Sequence, residues 1–587
     1  MSRCLLIALE GWDEHIAAPL LARGLLPNLA RLRARGRHGS LTPILADCPP
    51  ACWASLNTGR WPDVHDVLAA VETDPAHGGA RAVDSRSLQR APLWEHAAAA
   101  GLAGLRIGLP ASSPARGAGG CVGDAYPGRC AADGGEWLAL ADGALGGFDA
   151  GTCAQLDALR VDPAELDAAV LAPLMPEIGT IDPHGDRRPA LAALALARSF
   201  SLHAAATWLL ETRPGPLTLV CYPLLAELSA IFAAYLPPCP AAVPEQDFRR
   251  YRGVLPGAYR LADQLLGRLL ELGGMDAAVL VVSTHGYLDV PGSRGHGPGL
   301  ADPRPATPRP EGMWTLSVPG LSAVREAQPA TVLDLAPTVL TALGLAPPGD
   351  WPGRTLLPPM QRLRPCPPLP AAAPAAPLFG ADTDTVMSKP ADDGLPDNDA
   401  LLAALAGHGF DDPLAGTLLA EAAFADSRRG WNRYRIHIQR QDLRGAWQAL
   451  DALCDGPLAA RAALERIALL GALGRWPEAA RRLAPLRPAL AGGLAEALAE
   501  PWLHARALHL AADAIEAHAR GDHWAARQAL NKLEAPLATI PCFLRMQHEL
   551  DRLPAHASRP EAVPAPKPRL TRGRPKPGAG PGSSDRL

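Results

Sequence analysis

The stretch Asp276-Ala-Ala-Val-Leu-Val-Val-Ser283 constrains the fold more than any other, because it follows directly on Tyr259–Leu272, which reads YRLADQLLGRLLEL. The first reads as a strand, and the second carries apolar residues at three- and four-residue spacing, so one helical face is buried. A second helical run, Arg198 through Leu210, precedes another apolar stretch, Leu217 to Cys221. The clearest strands are Cys4 to Leu9, Leu217 to Cys221 and, within the first stretch, Ala278 to Ser283. Helices feeding buried strands in this way are halves of crossover units, the signature of a mostly parallel sheet with helices packed on it.

That α/β pattern runs from the N-terminus to about residue 358. Residues 359–395 contain PCPPLPAAAPAAP and a polar, Asp-containing stretch, without period and with too many prolines for helix or sheet, so they read as a linker. From 396 to 552 the chain is Ala/Leu-rich and helical. Three segments there resemble one another: QDLRGAWQAL from Gln441, GRWPEAARRL from Gly474 and GDHWAARQAL from Gly521. The first two are 33 residues apart, near the tetratricopeptide period, so an all-α helical-repeat domain is expected. Trp447, Trp476 and Trp524 read as core-filling residues of these helices. Residues 553–587, rich in Pro, Arg, Lys and Gly, read as a disordered basic tail.

With 587 residues the chain exceeds one hydrophobic core, consistent with this division. Its 56 Lys+Arg nearly balance 60 Asp+Glu, which argues against a chain built to neutralise nucleic acid. No uninterrupted apolar run suggests a bilayer span, and the apolar positions before Glu10 are too few for a secretory segment, so a cytoplasmic protein is expected. Eleven Cys, with no CxxC pair, signal neither a disulfide frame nor a structural zinc site.

Three segments of the first domain, taken together, resemble the alkaline phosphatase superfamily, in particular its bacterial type I phosphodiesterase/nucleotide pyrophosphatase-like branch. The opening LLIALEGWDEHIAAPLLARGLLPNLARLRARGRHGSL is similar to that branch's first strand, acidic ligand and helix. PPACWASLNTGRWPDVHDV is similar to its nucleophile region, ending in a TG-x-x-P-x-x-H pattern at Thr58, Gly59, Pro62 and His65. VLVVSTHGY with RPEGMWTLSVPG and TVLDLAPTVLTALGL is similar to its metal-binding and closing strands.

The resemblance implies two divalent cations held by carboxylates and imidazoles around a Ser or Thr hydroxyl. Position by position, this chain departs from that set. Glu10 stands for the first Asp. The nucleophile slot falls on Pro49, between Cys48 and Pro50. The Asp-x-x-x-His pair after Leu217 becomes Ala226 and Ala230, Thr284-His285 keeps only the imidazole, and the last His becomes Pro308.

No catalytic residue is therefore assigned. The remaining metal-ligand candidates are Glu10, His285 and the loop residue His296, with Asp289 and Glu227 as neighbours. Asp13 and Asp47 read as caps and turn formers, and His65 as a turn residue. The expected function is that of a catalytically degenerate phosphodiesterase-like protein that binds a protein partner through its helical repeats, without nucleic acid, membrane or cofactor. The alternative is a metal-dependent phosphoric ester hydrolase with a rearranged site holding a single zinc or manganese ion.

Overall fold

The computed structural model describes residues 3–45, 48–73, 80–128, 140–183, 185–240, 243–288, 307–309, 311–324, 328–359, 362–367, 369, 425–453, 459–487, 505–532 and 541–552. The chain forms two compact units, Met1–Ala463 and Leu464–Leu587.

The first unit is built on a nine-stranded sheet. Its strands are β1 (Arg3–Leu9), β2 (Arg37–Thr42), β3 (Leu105–Ile107), β4 (Gly120–Val122), β5 (Leu145–Gly146), β6 (Leu217–Tyr222), β7 (Ala277–Ser283), β8 (Gly312–Ser317) and β9 (Ala330–Thr331), in the spatial order β9-β2-β8-β7-β1-β6-β3-β4-β5. β1 lies at the centre, parallel to β6 on one side and β7 on the other. β8 is antiparallel to β7 and to β2.

Alternation along β1 explains its two buried faces. Leu5, Ile7 and Leu9 enter one core, shared with α1 (Glu14–Ala22), α2 (Pro27–Arg35), α5 (Arg188–Thr212), α6 (Leu224–Phe232) and α7 (Val254–Gly273). Cys4, Leu6 and Ala8 enter the other, with Trp53 of α3 (Pro49–Thr58), Trp351 and the closing helix Leu335–Ala342. A four-residue helix, α4 (Pro62–His65), follows α3. By length and composition α5 could cross a membrane, which run-length reading did not anticipate. Most of it is buried inside this unit, and its Arg198 pairs with Glu227 of α6 at 3.1 Å.

Two segments set apart by the sequence reading belong to this unit. Arg364–Pro365, inside the expected linker, pairs with Leu345–Ala346 in a small parallel sheet. The helices α8 (Ala425–Gln439) and α9 (Leu443–Asp451), at the start of the expected repeat domain, are also part of it. The linker core and the expected tail lie outside the described residues.

The second unit is helical: within it or entering it are α10 (Ala459–Ala472), α11 (Trp476–Leu483), α12 (Ala505–Ala519), α13 (His523–Leu530) and α14 (Pro541–Asp551). The three similar sequence segments share one turn. Gln441, Gly474 and Gly521 all have positive φ (57°, 72° and 80°), each two residues before α9, α11 or α13. In two of the three, an Asp side chain then caps the new helix, Asp442 through the Gly445 amide and Asp522 through the Ala525 amide. The tryptophans are less uniform than expected. Trp476 is buried and stacked on His518, with ring centroids 4.5 Å apart, but Trp524 is 55% exposed and fills no core. It occupies the second position of α13, whereas Trp476 opens α11, so the helix turns it outward.

Candidate functional site

In an open parallel sheet the ligand crevice lies beyond the carboxyl ends of the strands. Here those ends carry Glu10 after β1, Tyr222-Pro223 and the start of α6 after β6, Thr284-His285 after β7, and the first turn of α3.

Glu10 is tied into this crevice by main chain and side chain. Its amide donates to the Tyr222 carbonyl at 3.0 Å, and its Oε1 accepts the indole N–H of Trp53 at 3.1 Å. Burial pushes the carboxyl up to about 7; the indole hydrogen bond opposes that and the nearby Glu227 charge adds to it. Glu227 in turn accepts from Arg198.

His285 leaves the strand next to Glu10's, at the same end, since Ala8 lies opposite Val282. It is buried, its Nδ1 is 2.9 Å from Thr284 Oγ1, and its carbonyl accepts from Ser283 Oγ at 2.8 Å. That hydroxyl also accepts the Trp12 amide, at 3.1 Å, which stitches the β1 and β7 ends together. Burial lowers the His285 imidazole to about 4, so it is neutral at pH 7.

The nucleophile slot is the most altered part. Pro49 and Pro50 form the first two positions of α3, behind Cys48 as N-cap. Proline has neither a hydroxyl nor an N–H. The next two amides, Ala51 and Cys52, both donate to the Cys48 carbonyl, at 3.0 and 3.3 Å. The helix start therefore offers neither an attacking oxygen nor the main-chain donors with which helix N-termini hold phosphoryl oxygens. Cys48 is buried.

The TG-x-x-P-x-x-H pattern is architectural. Gly59 ends α3 in the left-handed region, Pro62 opens α4, and His65 is fully buried. The Val67 amide donates to His65 Nδ1 at 3.2 Å, which makes Nε2 the protonated nitrogen, and that nitrogen donates to Ser55 Oγ at 2.9 Å. Ser55 and His65 thus lack the polarity of a nucleophile and its base.

Ala226 and Ala230 sit in α6 without a donor atom. Pro308 lies opposite Tyr287 in a short antiparallel strand pair. Asp13 caps α1 by accepting from the His15 amide at 2.9 Å. His296, Asp289 and Asp47 lie outside the described residues. Among the described residues no three His, Cys, Asp or Glu side chains converge to hold a metal ion. The donor set among the described residues does not fit a two-metal centre.

Two features escaped the sequence reading: the indole of Trp53 on Glu10, and the Arg198–Glu227 pair beside it. Arg198 carried a signal, a cation within the otherwise apolar α5. Trp53 carried none, because a helical Trp reads first as core.

The profile of the type I phosphodiesterase / nucleotide pyrophosphatase family matches residues 5–153. That region is similar to the type I phosphodiesterase / nucleotide pyrophosphatase family. Solved structures similar to this chain include phosphonoacetate hydrolase from Sinorhizobium meliloti 1021, with 16% identity over 49% of this chain and 56% of that one, and a TM-score of 0.30. The chain thus spans little more than half the length of that hydrolase. Others are the phosphonate monoester hydrolase from Silicibacter pomeroyi (17% identity, 61% and 76% coverage, TM-score 0.35) and human ectonucleotide pyrophosphatase / phosphodiesterase 5 (12% identity, 60% and 97% coverage, TM-score 0.34). No curated protein matches the chain significantly.

Proposed function

We propose that the protein is a catalytically degenerate member of this hydrolase family, and that it works as a binding or scaffold protein. Its helical segments would recognise a protein partner in the cytoplasm, without nucleic acid, membrane or cofactor. One observation carries the reading: Pro49 and Pro50 occupy the first two positions of α3, so the nucleophile and the adjacent main-chain donors are lost together. The alanines at 226 and 230 and Thr284 support it, because each cation in such sites needs about three or more protein ligands.

A second reading rests on Glu10 and His285 leaving neighbouring parallel strands at the same end. With His296 they would form a single-metal site for zinc or manganese, acting on a phosphodiester or related ester. Elemental mass spectrometry of the purified protein separates the two readings. Near-zero zinc and manganese, with no turnover of bis(p-nitrophenyl) phosphate, is the expected result. Stoichiometric metal with turnover that disappears in His285→Ala would overturn the first reading.

A further inference from the structure

Helix α8 lies hundreds of residues beyond the segment it packs on. Its Arg429 donates to the Asp66 carboxylate at 2.9 Å and to the Asp66 carbonyl at 3.2 Å, and stands 3.6 Å from Glu72. Arg433 reaches the same Asp66 at 3.3 Å. Arg440, just past the helix end, donates to Asp63 at 2.7 Å, with its guanidinium 5.7 Å from the Trp61 ring centroid. Two amide side chains hold main-chain carbonyls, Asn432 on Leu68 and Gln439 on Ile44, both at 2.7 Å. Between them Ile436 is fully buried in a cluster with Ile44, Leu45, Cys48, Ala51 and Leu68.

Residues 429, 432, 433, 436 and 440 follow helical spacing, so they form one face. That face covers the entry to α3, its first turn and α4. Asp66 marks the centre of the contact and has φ of 67°, a left-handed conformation costly for a residue with a side chain. Its carboxylate and its carbonyl are both engaged by α8, which offsets that cost.

We propose that α8 is an ion-paired latch, which locks the α3–α4 segment of the candidate site and from which high salt or an acidic competitor releases that segment. The polar partners are only partly buried, with Arg429 and Asp66 side chains 14% and 24% exposed, so screening reaches them. Beneath them, the apolar cluster with Ile44, Leu45, Cys48, Ala51 and Leu68 takes Ile436 alone from α8. The inference stands apart from whether the site is catalytic.

Cys48 reports on the latch, because it is buried beside Ile436. The test is alkylation of the full chain by iodoacetamide, read peptide by peptide by mass spectrometry. Cys221, in the central sheet, serves as an internal reference. Raising sodium chloride from about 0.05 to about 0.5 M, a range that shortens the Debye length severalfold, is expected to speed Cys48 labelling at least about fivefold and leave Cys221 unchanged. Arg429→Glu with Arg433→Glu should raise Cys48 labelling at least about tenfold at low salt, and adding Asp66→Arg should return it towards the original rate. Unchanged Cys48 labelling overturns the latch. So does equal acceleration of Cys221, which would mean the whole unit had opened, and so does a labelling rate that depends on protein concentration, which would assign the helix to a second copy.

Discussion

Trp53 donates its indole hydrogen to Oε1 of Glu10 across 3.1 Å, so the helix that stands at the nucleophile position holds down the carboxyl at the end of the central strand. The bond opposes the burial that keeps this carboxyl near a pKa of about 7. A folded-state value above the ordinary 4.5 means that the folded protein holds the proton more tightly than the unfolded chain. The stability contribution is complete below about 4.5 and is lost as pH rises towards 7. Urea unfolding of Glu10→Gln at pH 5 and pH 8 should show a smaller pH difference than the wild type, by about 1–3 kcal/mol. An unchanged difference would mean that Glu10 does not carry this part of the pH dependence.

His65 behaves in the opposite sense. Burial lowers its pKa from 6.5 to about 3, so stability is complete above 6.5 and falls as the pH drops below it. Replacement by Gln should remove roughly 2 kcal/mol of the stability lost between pH 6.5 and pH 5, at about 1.4 kcal/mol per pH unit. His65→Ala, which strands the Ser55 hydroxyl and the Val67 amide, should cost about 2–4 kcal/mol at pH 7.5 by chemical denaturation.

Pro49→Thr returns a hydroxyl to the nucleophile slot. It should fold and yet show no turnover of aryl phosphodiesters above the wild-type background, because Pro50 and Ala226 remain. Measurable turnover in this single variant would show that a competent metal site survives.

Gly59→Ala tests the turn that ends α3. Its φ is 64°, and an added methyl would stand 2.7 Å from the Trp351 ring. Left-handed strain and overpacking together should cost about 2–4 kcal/mol, measured by urea unfolding followed by tryptophan fluorescence.

The central architecture was legible in the sequence because it is written in local periodicity. The expected strands Cys4 to Leu9, Leu217 to Cys221 and Ala278 to Ser283 differ from β1, β6 and β7 by a single residue at an end, and the run from Tyr259 lies within α7. Gly59 and Pro62 carried their roles in residue type alone, one tolerating positive φ and the other suiting a helix start.

Long-range pairing was not legible. Nothing local to Arg429, Arg433 and Arg440 reveals that Asp63, Asp66 and Glu72 lie beneath them. The boundary expected at residue 396 follows composition, whereas packing carries the first unit to Ala463. The candidate site was legible in what it lacked, residue by residue, but not in what fills it. Trp53 and the Arg198–Glu227 pair meet Glu10 only once β1 and the three helices α3, α5 and α6 have assembled.

The start of α3 bears on any attempt to place phosphoryl-transfer chemistry here. Substituting side chains repairs side chains, but two consecutive imino acids have altered the peptide backbone itself, which no nearby mutation can reach. Phosphoryl transfer from an attacking group at this position would first need the main chain changed at Pro49 and Pro50, so ligand residues added elsewhere could not act as a dial on such a reaction by themselves.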